Sequence, residues 1–189
     1  VDILVDVSLS TDAWLEDRRV IDVAREALLA LAHGLALSGD DYAIHCFTSR
    51  RREQVWVSTL KSFDEVMGER VERRIQALQP GHYTRMGPAI RHCTELLAQR
   101  HQRHRLLLML SDGKPNDTDY YEGRYAIEDT RRAILDARQQ EVQVFAVTVD
   151  REAEAYLPRL FGRGGWATVS RPEHLPQALP AIYRRVTSR

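Results

Sequence analysis

The residues best suited to chemistry lie near the start of the chain, where Asp6, Ser8 and Ser10 follow the mostly apolar segment 1–5. One carboxylate and two hydroxyls at this spacing can converge on one point, and hard cations such as Mg²⁺ take oxygen ligands. One charged ligand among neutral hydroxyls leaves such an ion electron-poor, so it can accept an acidic ligand from outside. The alternative is that Asp6 and the serines only cap a strand and begin a turn, as such residues commonly do.

Apolar runs and amphipathic segments alternate along the chain and predict the elements that position these residues. We predict strands over 3–7, 42–47, 54–59, 106–110, 142–149 and 166–169, and helices over 20–37, 63–78, 86–101, 126–140, 152–160 and from 172 onward. Such alternation is typical of an α/β fold: a doubly wound, mostly parallel six-stranded sheet with helices on both faces. The short polar link 48–53 allows a hairpin, so one edge strand is expected to be antiparallel.

A second carboxylate is expected at the same edge of this sheet as Asp6. Asp112 follows the apolar run 106–110 and precedes Gly113. A further hydroxyl residue, Thr84, lies in the loop that opens the helix over 86–101. In sheets of this kind ligands bind beyond the carboxyl ends of the strands. The fold therefore predicts that Asp6 and Asp112, distant in sequence, lie at one edge.

Composition limits the kind of partner and compartment. The chain of 189 residues has zero formal net charge and fits one domain over 1–189, with no global attraction for nucleic acid or anionic lipid. Cys46 and Cys93 lie in apolar patterns without a CxxC spacing, as expected for small buried residues in a reduced, cytoplasmic compartment. Charges interrupt the longest apolar stretch, 23–37, so no membrane insertion is expected. The chain starts within a predicted strand and without an initiator Met, which suggests the C-terminal part of a longer protein.

The sequence carries no signature of nucleophilic catalysis or nucleotide hydrolysis. It has no GxSxG elbow, no GxxxxGK[ST] phosphate loop and no HExxH spacing, and Gly162, Gly164 and Gly165 form no dinucleotide fingerprint. Asp6 and Asp112 could support a metal-dependent hydrolase or phosphatase, since a bound ion can activate water. No general base stands out beside them, so we expect no enzyme. A scaffold domain with an unused metal site is the other alternative.

The five polar residues together resemble the metal-ion-dependent adhesion site (MIDAS) of a von Willebrand factor type A (VWA) domain. The resemblance rests on Asp6-x-Ser8-x-Ser10, on Thr84 before a helix and on a strand ending in Asp112-Gly113, in that order. It implies that Ser8, Ser10 and Thr84 supply hydroxyl oxygens while Asp6 and Asp112 supply charge. The ion would be Mg²⁺, with Mn²⁺ or Ca²⁺ as alternatives, and one position would await an Asp or Glu of a partner.

Longer stretches resemble the C-terminal domain of the NorD-type nitric-oxide-reductase activation proteins and of the related CbbO-type Rubisco-activation proteins. They include VSLSTDAW, RRVIDVAREAL, PGHYTRMGPAIRH, LSDGKPNDTDYYEGRYAIEDTRR and VTVDREAEAYLPRLFGRGG. The resemblance implies a cytoplasmic accessory protein that works with a MoxR-class AAA+ ATPase. The domain would be the adaptor that grips a client enzyme, and these residues do not decide between nitric-oxide reductase and Rubisco.

Aromatic residues near the predicted metal edge have two interpretations. Tyr120, Tyr121 and Tyr125 follow Asp112, and Trp14 follows Ser10 closely. Tyrosine is favoured in recognition surfaces because it offers contact area and a hydroxyl at low entropic cost. Packing of the loop onto the domain is the equal alternative.

Basic residues near the site are similarly ambiguous. Lys114 and Arg85 flank predicted metal-site residues and could hold an acidic partner, or be solvated surface charge. The run Arg50–Arg52 lies in the predicted hairpin link, where a solvated turn is favoured over nucleic-acid binding. Among the histidines, His82 alone is close to the predicted site in sequence.

Overall fold

The structure is a computed structural model that describes residues 1–15, 17–150 and 152–188. Its strands are β1 (Asp2–Asp6), β2 (Trp14–Leu15), β3 (Arg18–Arg19), β4 (Ala43–Ser49), β5 (Val55–Lys61), β6 (Arg105–Ser111), β7 (Val142–Thr148) and β8 (Trp166–Thr168). Its α-helices are α1 (Val20–Ser38), α2 (Glu69–Gln76), α3 (Met86–Ala98), α4 (Gly123–Gln139), α5 (Leu157–Phe161) and α6 (Leu175–Thr187).

Six strands form one mixed sheet in the order β5-β4-β1-β6-β7-β8. Neighbouring strands are parallel except for β4 and the edge strand β5, which form an antiparallel hairpin. The predicted α/β class, the strand count and the antiparallel edge are therefore confirmed. The parallel strands β1 and β6 lie at the centre of the sheet, so their carboxyl ends open onto the same edge.

The two faces of the sheet bury separate apolar layers because side chains alternate along each strand. Ile3 and Val5 of β1 pack in the layer that includes α1, α2 and α6, whereas Leu4 packs in the layer with α3, α4 and α5. All five residues of β1 are buried. A strand covered on both faces is rigid, and it therefore fixes the positions of the polar residues at its ends.

Some boundaries differ from those predicted. The helix predicted over 63–78 begins only at Glu69, because Gly68 precedes it in an extended conformation and glycine disfavours a helix interior. The helix predicted over 152–160 is split into a 3₁₀ turn, Ala153–Ala155, and α5. The short hairpin of β2 and β3 and the 3₁₀ turn Leu9–Asp12 were not predicted, since both are too short to show a periodic pattern.

The cysteines behave as the sequence predicts. Cys46 and Cys93 are free thiols, and both are buried. Burial raises the pKa of the Cys46 thiol to about 11, so it stays protonated and behaves as a small apolar group. Across the described ranges, none of the helices has the length and apolar character needed to cross a membrane.

Candidate metal centre

Asp6 ends β1, and its carboxylate is held in place by the chain that follows. The backbone N–H of Ser8 donates to Asp6 Oδ1 at 2.9 Å, an Asx-type turn that bends the chain away from the sheet. The Ser111 hydroxyl, from the end of β6, donates to Asp6 Oδ2 at 3.0 Å. Asp6 is only 3% exposed, so its carboxylate is presented at the bottom of the site.

Ser8 and Ser10 link Asp6 to Asp112. Ser8 Oγ lies 2.8 Å from Ser10 Oγ, and the Ser10 hydroxyl donates to Asp112 Oδ1 at 2.8 Å. The 3₁₀ turn Leu9–Asp12 brings the serines together, and within it the Thr11 hydroxyl donates to the carbonyl of Ser8 at 2.6 Å. Ser8 is buried and Ser10 is exposed, so the hydroxyls lead from the sheet edge to solvent.

Thr84 reaches the same point from the loop before α3. Its backbone exchanges hydrogen bonds with Asn116, which lies beyond β6, at 2.9 and 3.0 Å. Thr84 Oγ1 lies 3.5 Å from Asp6 Oδ1, a distance at which a hydrogen bond is weak. Gly81 lets this loop pass close to β4, because a Cβ there would lie 2.6 Å from Thr48 Oγ1.

The electrostatics of this cluster leave two carboxylates without a cationic partner among the described residues. Burial and the nearby charge of Asp112 raise the pKa of Asp6 to about 7. Burial, aided by the charge of Asp150, raises the pKa of Asp112 to about 6, against the hydrogen bond from Ser10. A bound divalent cation would relieve this repulsion, and an all-oxygen set of carboxylates and hydroxyls is the donor set that hard cations prefer. The residues present therefore fit such an ion.

A surface depression of about 330 Å³ opens over these groups. It is lined by Ser8, Leu9, Ser10, His82, Tyr83, Thr84, Asp112, Gly113, Lys114, Asn116, Asp150 and Glu152. Asp150 is already engaged, since its Oδ1 accepts the N–H of Glu152 and its Oδ2 accepts the hydroxyl of Tyr156. His82 lies on the rim, as its proximity in sequence suggests. A protruding side chain of a partner could therefore reach Ser10 and Asp112 from solvent.

The structure brings all five predicted residues, Asp6, Ser8, Ser10, Thr84 and Asp112, to this one edge. Sequence reasoning missed Ser111, which contacts the Asp6 carboxylate. The sequence could have predicted this role, because Ser111 is the hydroxyl residue between the apolar run of β6 and Asp112.

Of the aromatic residues near the site, one packs onto the domain and three are exposed. Tyr121 is buried and packs within the domain, whereas Tyr120 and Tyr125 are 87% and 61% exposed. Trp14 is also exposed, at 66%. These three exposed rings are therefore available for contact with a partner.

Both interpretations of Arg85 from the sequence are wrong. It is only 4% exposed, so it is neither solvated charge nor available to a partner. Its Nε lies 3.4 Å from Asp117 Oδ2, a second contact is made with Asp119, and its guanidinium stacks on the ring of Tyr121 at 4.1 Å. Lys114 remains on the surface, where its Nζ lies 3.1 Å from Glu152 Oε2.

Sheet order, helix layers and the oxygen-rich edge define a class of protein. The model of the von Willebrand factor type A domain matches residues 2–178, and the chain belongs to that family. More specifically, it is 63% identical over 184 residues to Protein NorD of Brucella melitensis, a match that covers 97% of this chain and 29% of that protein. Protein NorD of Stutzerimonas stutzeri is 51% identical over 172 residues, covering 90% of this chain and 28% of that protein. The chain thus spans less than a third of the length of these curated relatives.

Solved structures share the fold at low sequence identity. Proximal thread matrix protein 1 from the mussel byssus, in a structure described as having a zinc-occupied MIDAS motif, has a TM-score of 0.69 at 14% identity. That match covers 96% of this chain and 46% of the mussel chain. A von Willebrand factor type A protein from Catenulispora acidiphila has a TM-score of 0.65 at 18% identity, covering 96% of this chain and 41% of that one.

Proposed function

We propose that this chain is a metal-dependent protein-binding domain of a NorD-type accessory protein. Asp6, Ser8, Ser10, Thr84 and Asp112 would hold a divalent cation, for which Mg²⁺ is the first candidate. When bound, the cation offers a coordination position to an Asp or Glu of a partner. The residues of the chain orient one another, compensate the charge of the ion and keep one side of the site open.

The observation that carries this proposal is the linked series of oxygen atoms at one strand edge. The backbone N–H of Ser8 donates to the Asp6 carboxylate at 2.9 Å, the hydroxyls of Ser8 and Ser10 lie 2.8 Å apart, and the Ser10 hydroxyl donates to Asp112 at 2.8 Å. Thr84 approaches from a third segment. The buried carboxylate of Asp6 and the half-buried carboxylate of Asp112 repel each other and so favour cation binding, because the ion offsets both charges. The exposure of Ser10 supports access by a partner from solvent.

A binding role is favoured over hydrolysis by the state of the two other carboxylates in the depression, Asp150 and Glu152. A hydrolase needs a general base within reach of a metal-bound water. Both oxygens of Asp150 accept hydrogen bonds, from the N–H of Glu152 and the hydroxyl of Tyr156, and the Glu152 carboxylate pairs with Lys114 at 3.1 Å. The remaining ligands are mostly hydroxyls, which suit capture of a carboxylate better than generation of hydroxide.

The partners are proposed from the resemblance to NorD-type and CbbO-type proteins. We propose that the domain acts in a NorD-type protein together with a MoxR-class AAA+ ATPase, and that it grips the client enzyme on which that ATPase acts. The client is nitric-oxide reductase or, by the CbbO-type resemblance, Rubisco. Energy from ATP would come from the partner, since the sequence has no phosphate loop of its own.

The experiment is a pull-down of the cognate ATPase and of each candidate client with the tagged chain, in Mg²⁺ and in EDTA. Ser8→Ala and Asp112→Asn are expected to lose the client as EDTA does, because both change the ion's ligand set. Ser38→Ala, an exposed serine at the end of α1, is the matched control and should capture the client normally. Equal client capture by folded Ser8→Ala and Asp112→Asn would refute the role given to the ion.

Two assays address the alternatives. Turnover of generic phosphate or ester substrates with Mg²⁺ or Mn²⁺, abolished by Asp112→Asn, would favour a hydrolase. A melting temperature that does not respond to any divalent cation would favour a scaffold domain with an unused site, because a ligand that binds only the native state raises its stability.

A further inference from the structure

The run Arg50–Arg52 forms the tip of the hairpin between β4 and β5, and the metal site does not use it. All three side chains are exposed. Because β4 is parallel to β1, this tip extends from the same edge of the sheet as Asp6. The tip is therefore on the surface that a partner of the metal site would approach.

The backbone of the tip is held in a specific and costly conformation. Arg51 has a φ of 62°, in the left-handed region that costs a non-glycine residue about 1–2 kcal/mol. The Arg51 N–H donates to Asp117 Oδ1 at 2.8 Å, and the Arg52 N–H donates to Asp119 Oδ2 at 2.8 Å. A residue kept in such a conformation by its surroundings is a reason to look for function.

The same contacts tie the tip to the metal site. Ser49, just before the tip, pairs through its backbone with Tyr83, the neighbour of Thr84. The Ser49 hydroxyl donates to Asp117 Oδ2 at 2.9 Å, and Asp117 follows Asn116, which pairs with Thr84. The tip and Thr84 are thus fixed to the same two segments, so their relative position is set by the fold.

Most of the charge of the tip is left uncompensated although carboxylates lie beneath it. Asp117 and Asp119 direct oxygens at the backbone amides of the tip and at the buried Arg85. Burial raises the pKa of Asp117, but the amides of Arg51 and Thr118 and the hydroxyl of Ser49 outweigh it and hold that pKa below its usual value. Within the described part of the chain, the side chains of Arg50 and Arg51 form no ion pair, and Arg52 reaches only Glu53, at 4.0 Å.

We propose that the Arg50–Arg52 tip is a second contact for the partner of the metal site, and that this partner presents an acidic protein surface. This inference rests on the proposed function, since it assumes a partner carboxylate at the ion. One acidic residue would bind the ion, and further acidic residues would meet the arginines. A divalent ion would offset the charge of Asp6 and Asp112, and the exposed arginines of the tip would then favour acidic neighbours.

The test uses fluorescent peptides as defined partners: polyglutamate, and a neutral peptide with a single glutamate. Binding to the chain is measured by anisotropy with Mg²⁺ and with EDTA, at low and high salt. The tip variant is Arg50→Gln, Arg51→Asn and Arg52→Gln, because asparagine tolerates the left-handed conformation. The control variant is Arg103→Gln, Arg184→Gln and Arg185→Gln, which removes the same charge from exposed positions away from the tip.

We expect the tip variant to bind polyglutamate on the order of tenfold more weakly, as several exposed ion pairs are lost. Its affinity for the single-glutamate peptide should be unchanged, and high salt should remove most of the difference between the two proteins. The control variant should bind both peptides like the original chain. Equal loss in the control and tip variants would overturn the proposal, because the effect would then be one of net charge alone.

Other outcomes separate this proposal from the one on which it rests. If EDTA and Ser8→Ala leave both peptides bound while the tip variant releases polyglutamate, the proposed function fails and the basic tip acts by itself. If the tip variant binds polyglutamate as tightly as the original chain does, the second contact is refuted. Tip-dependent binding of oligothymidylate in preference to polyglutamate would assign the tip to nucleic acid and overturn the choice of partner.

Discussion

Strand β1 begins and ends with a buried aspartate, and the two ends are built differently. At the start, Asp2 Oδ1 lies 2.7 Å from His45 Nδ1 of the neighbouring strand, and Cys93 of α3 completes a buried group of three. At the other end, Asp6 meets hydroxyls, a backbone amide and the charge of Asp112. One carboxylate has a partner that can carry positive charge, and the other has none among the described residues.

The difference separates a polar contact that is made within the domain from one that a cation could complete. A buried charge is tolerated when it is paired, and an unpaired one favours its neutral form or a bound ion. Asp2 has such a partner within the domain, His45. Asp6 accepts hydrogen bonds from Ser8 and Ser111 but faces the charge of Asp112, so a cation from outside would stabilise it further. The strand therefore carries a closed polar contact at Asp2 and a receptive one at Asp6.

The largest expected effect comes from breaking the closed end. His45→Ala should lower the free energy of unfolding by about 3–5 kcal/mol, because it leaves a buried carboxylate without its partner. Asp2 Oδ2 already lacks a hydrogen-bond partner in the described residues, so loss of the ring leaves the Cys93 thiol as the remaining member of the group. Urea unfolding followed by circular dichroism measures the loss, with His104→Ala, an exposed histidine, as the control. A loss no larger than that of the control would mean that the two ends do not differ as described.

The next effect concerns the receptive end. Mg²⁺ at a free concentration about 100-fold above its dissociation constant should stabilise the chain by about 2.7 kcal/mol over the EDTA-treated protein. Ser8→Ala and Asp112→Asn should abolish this gain, whereas Cys93→Ala should keep it while being less stable overall. Thermal unfolding with and without metal gives both quantities. A gain that persists in Ser8→Ala and Asp112→Asn but is lost in Cys93→Ala would place the ion at the opposite end of β1.

A smaller effect, a gain in stability, is expected when the charge at the receptive end is removed in EDTA. Asp6→Asn should stabilise the metal-free chain by about 1–2 kcal/mol at mildly alkaline pH, because it removes a buried carboxylate repelled by Asp112. The folded-state pKa of Asp6, about 7, lies above its ordinary value of 3.8, so the penalty is complete only above about pH 7. It declines as the pH falls, and the gain from Asp6→Asn should shrink with it.

Asp2→Asn is the matched variant for that measurement. It weakens the contact with His45, so it should destabilise the chain under the same conditions. Urea unfolding of both variants across a pH series compares the two ends directly. Destabilisation by both substitutions in EDTA would show that Asp6 is as well satisfied as Asp2.

Much of the receptive end could be predicted from the sequence because strand ends dictate it. Asp6 and Asp112 each follow an apolar run, and parallel strands bring such ends to one edge. The start of α2 was predicted less well, since Gly68 interrupts a pattern that otherwise continues. These features depend on local sequence, which explains both the success and the error.

The closed end was beyond prediction because its residues come from three elements with no characteristic spacing. Asp2, His45 and Cys93 each have an ordinary place in an apolar pattern, and only the packing of α3 against β1 and β4 brings them together. Arg85 was misread for the same reason. Its partners Asp117 and Asp119 belong to a loop whose path depends on tertiary contacts.

Ser111, the site residue that sequence reasoning missed, gives the smallest expected effect. Its hydroxyl donates to Asp6 Oδ2 at 3.0 Å and so orients the carboxylate toward the serines. Ser111→Ala should weaken Mg²⁺ binding by about 1 kcal/mol, the usual net contribution of one hydrogen bond. Titration calorimetry measures the change, with Ser58→Ala on the exposed side of β5 as the control. Unchanged affinity in Ser111→Ala would mean that the contacts from Ser8 and Thr84 suffice to orient Asp6, and the receptive end would then not depend on β6.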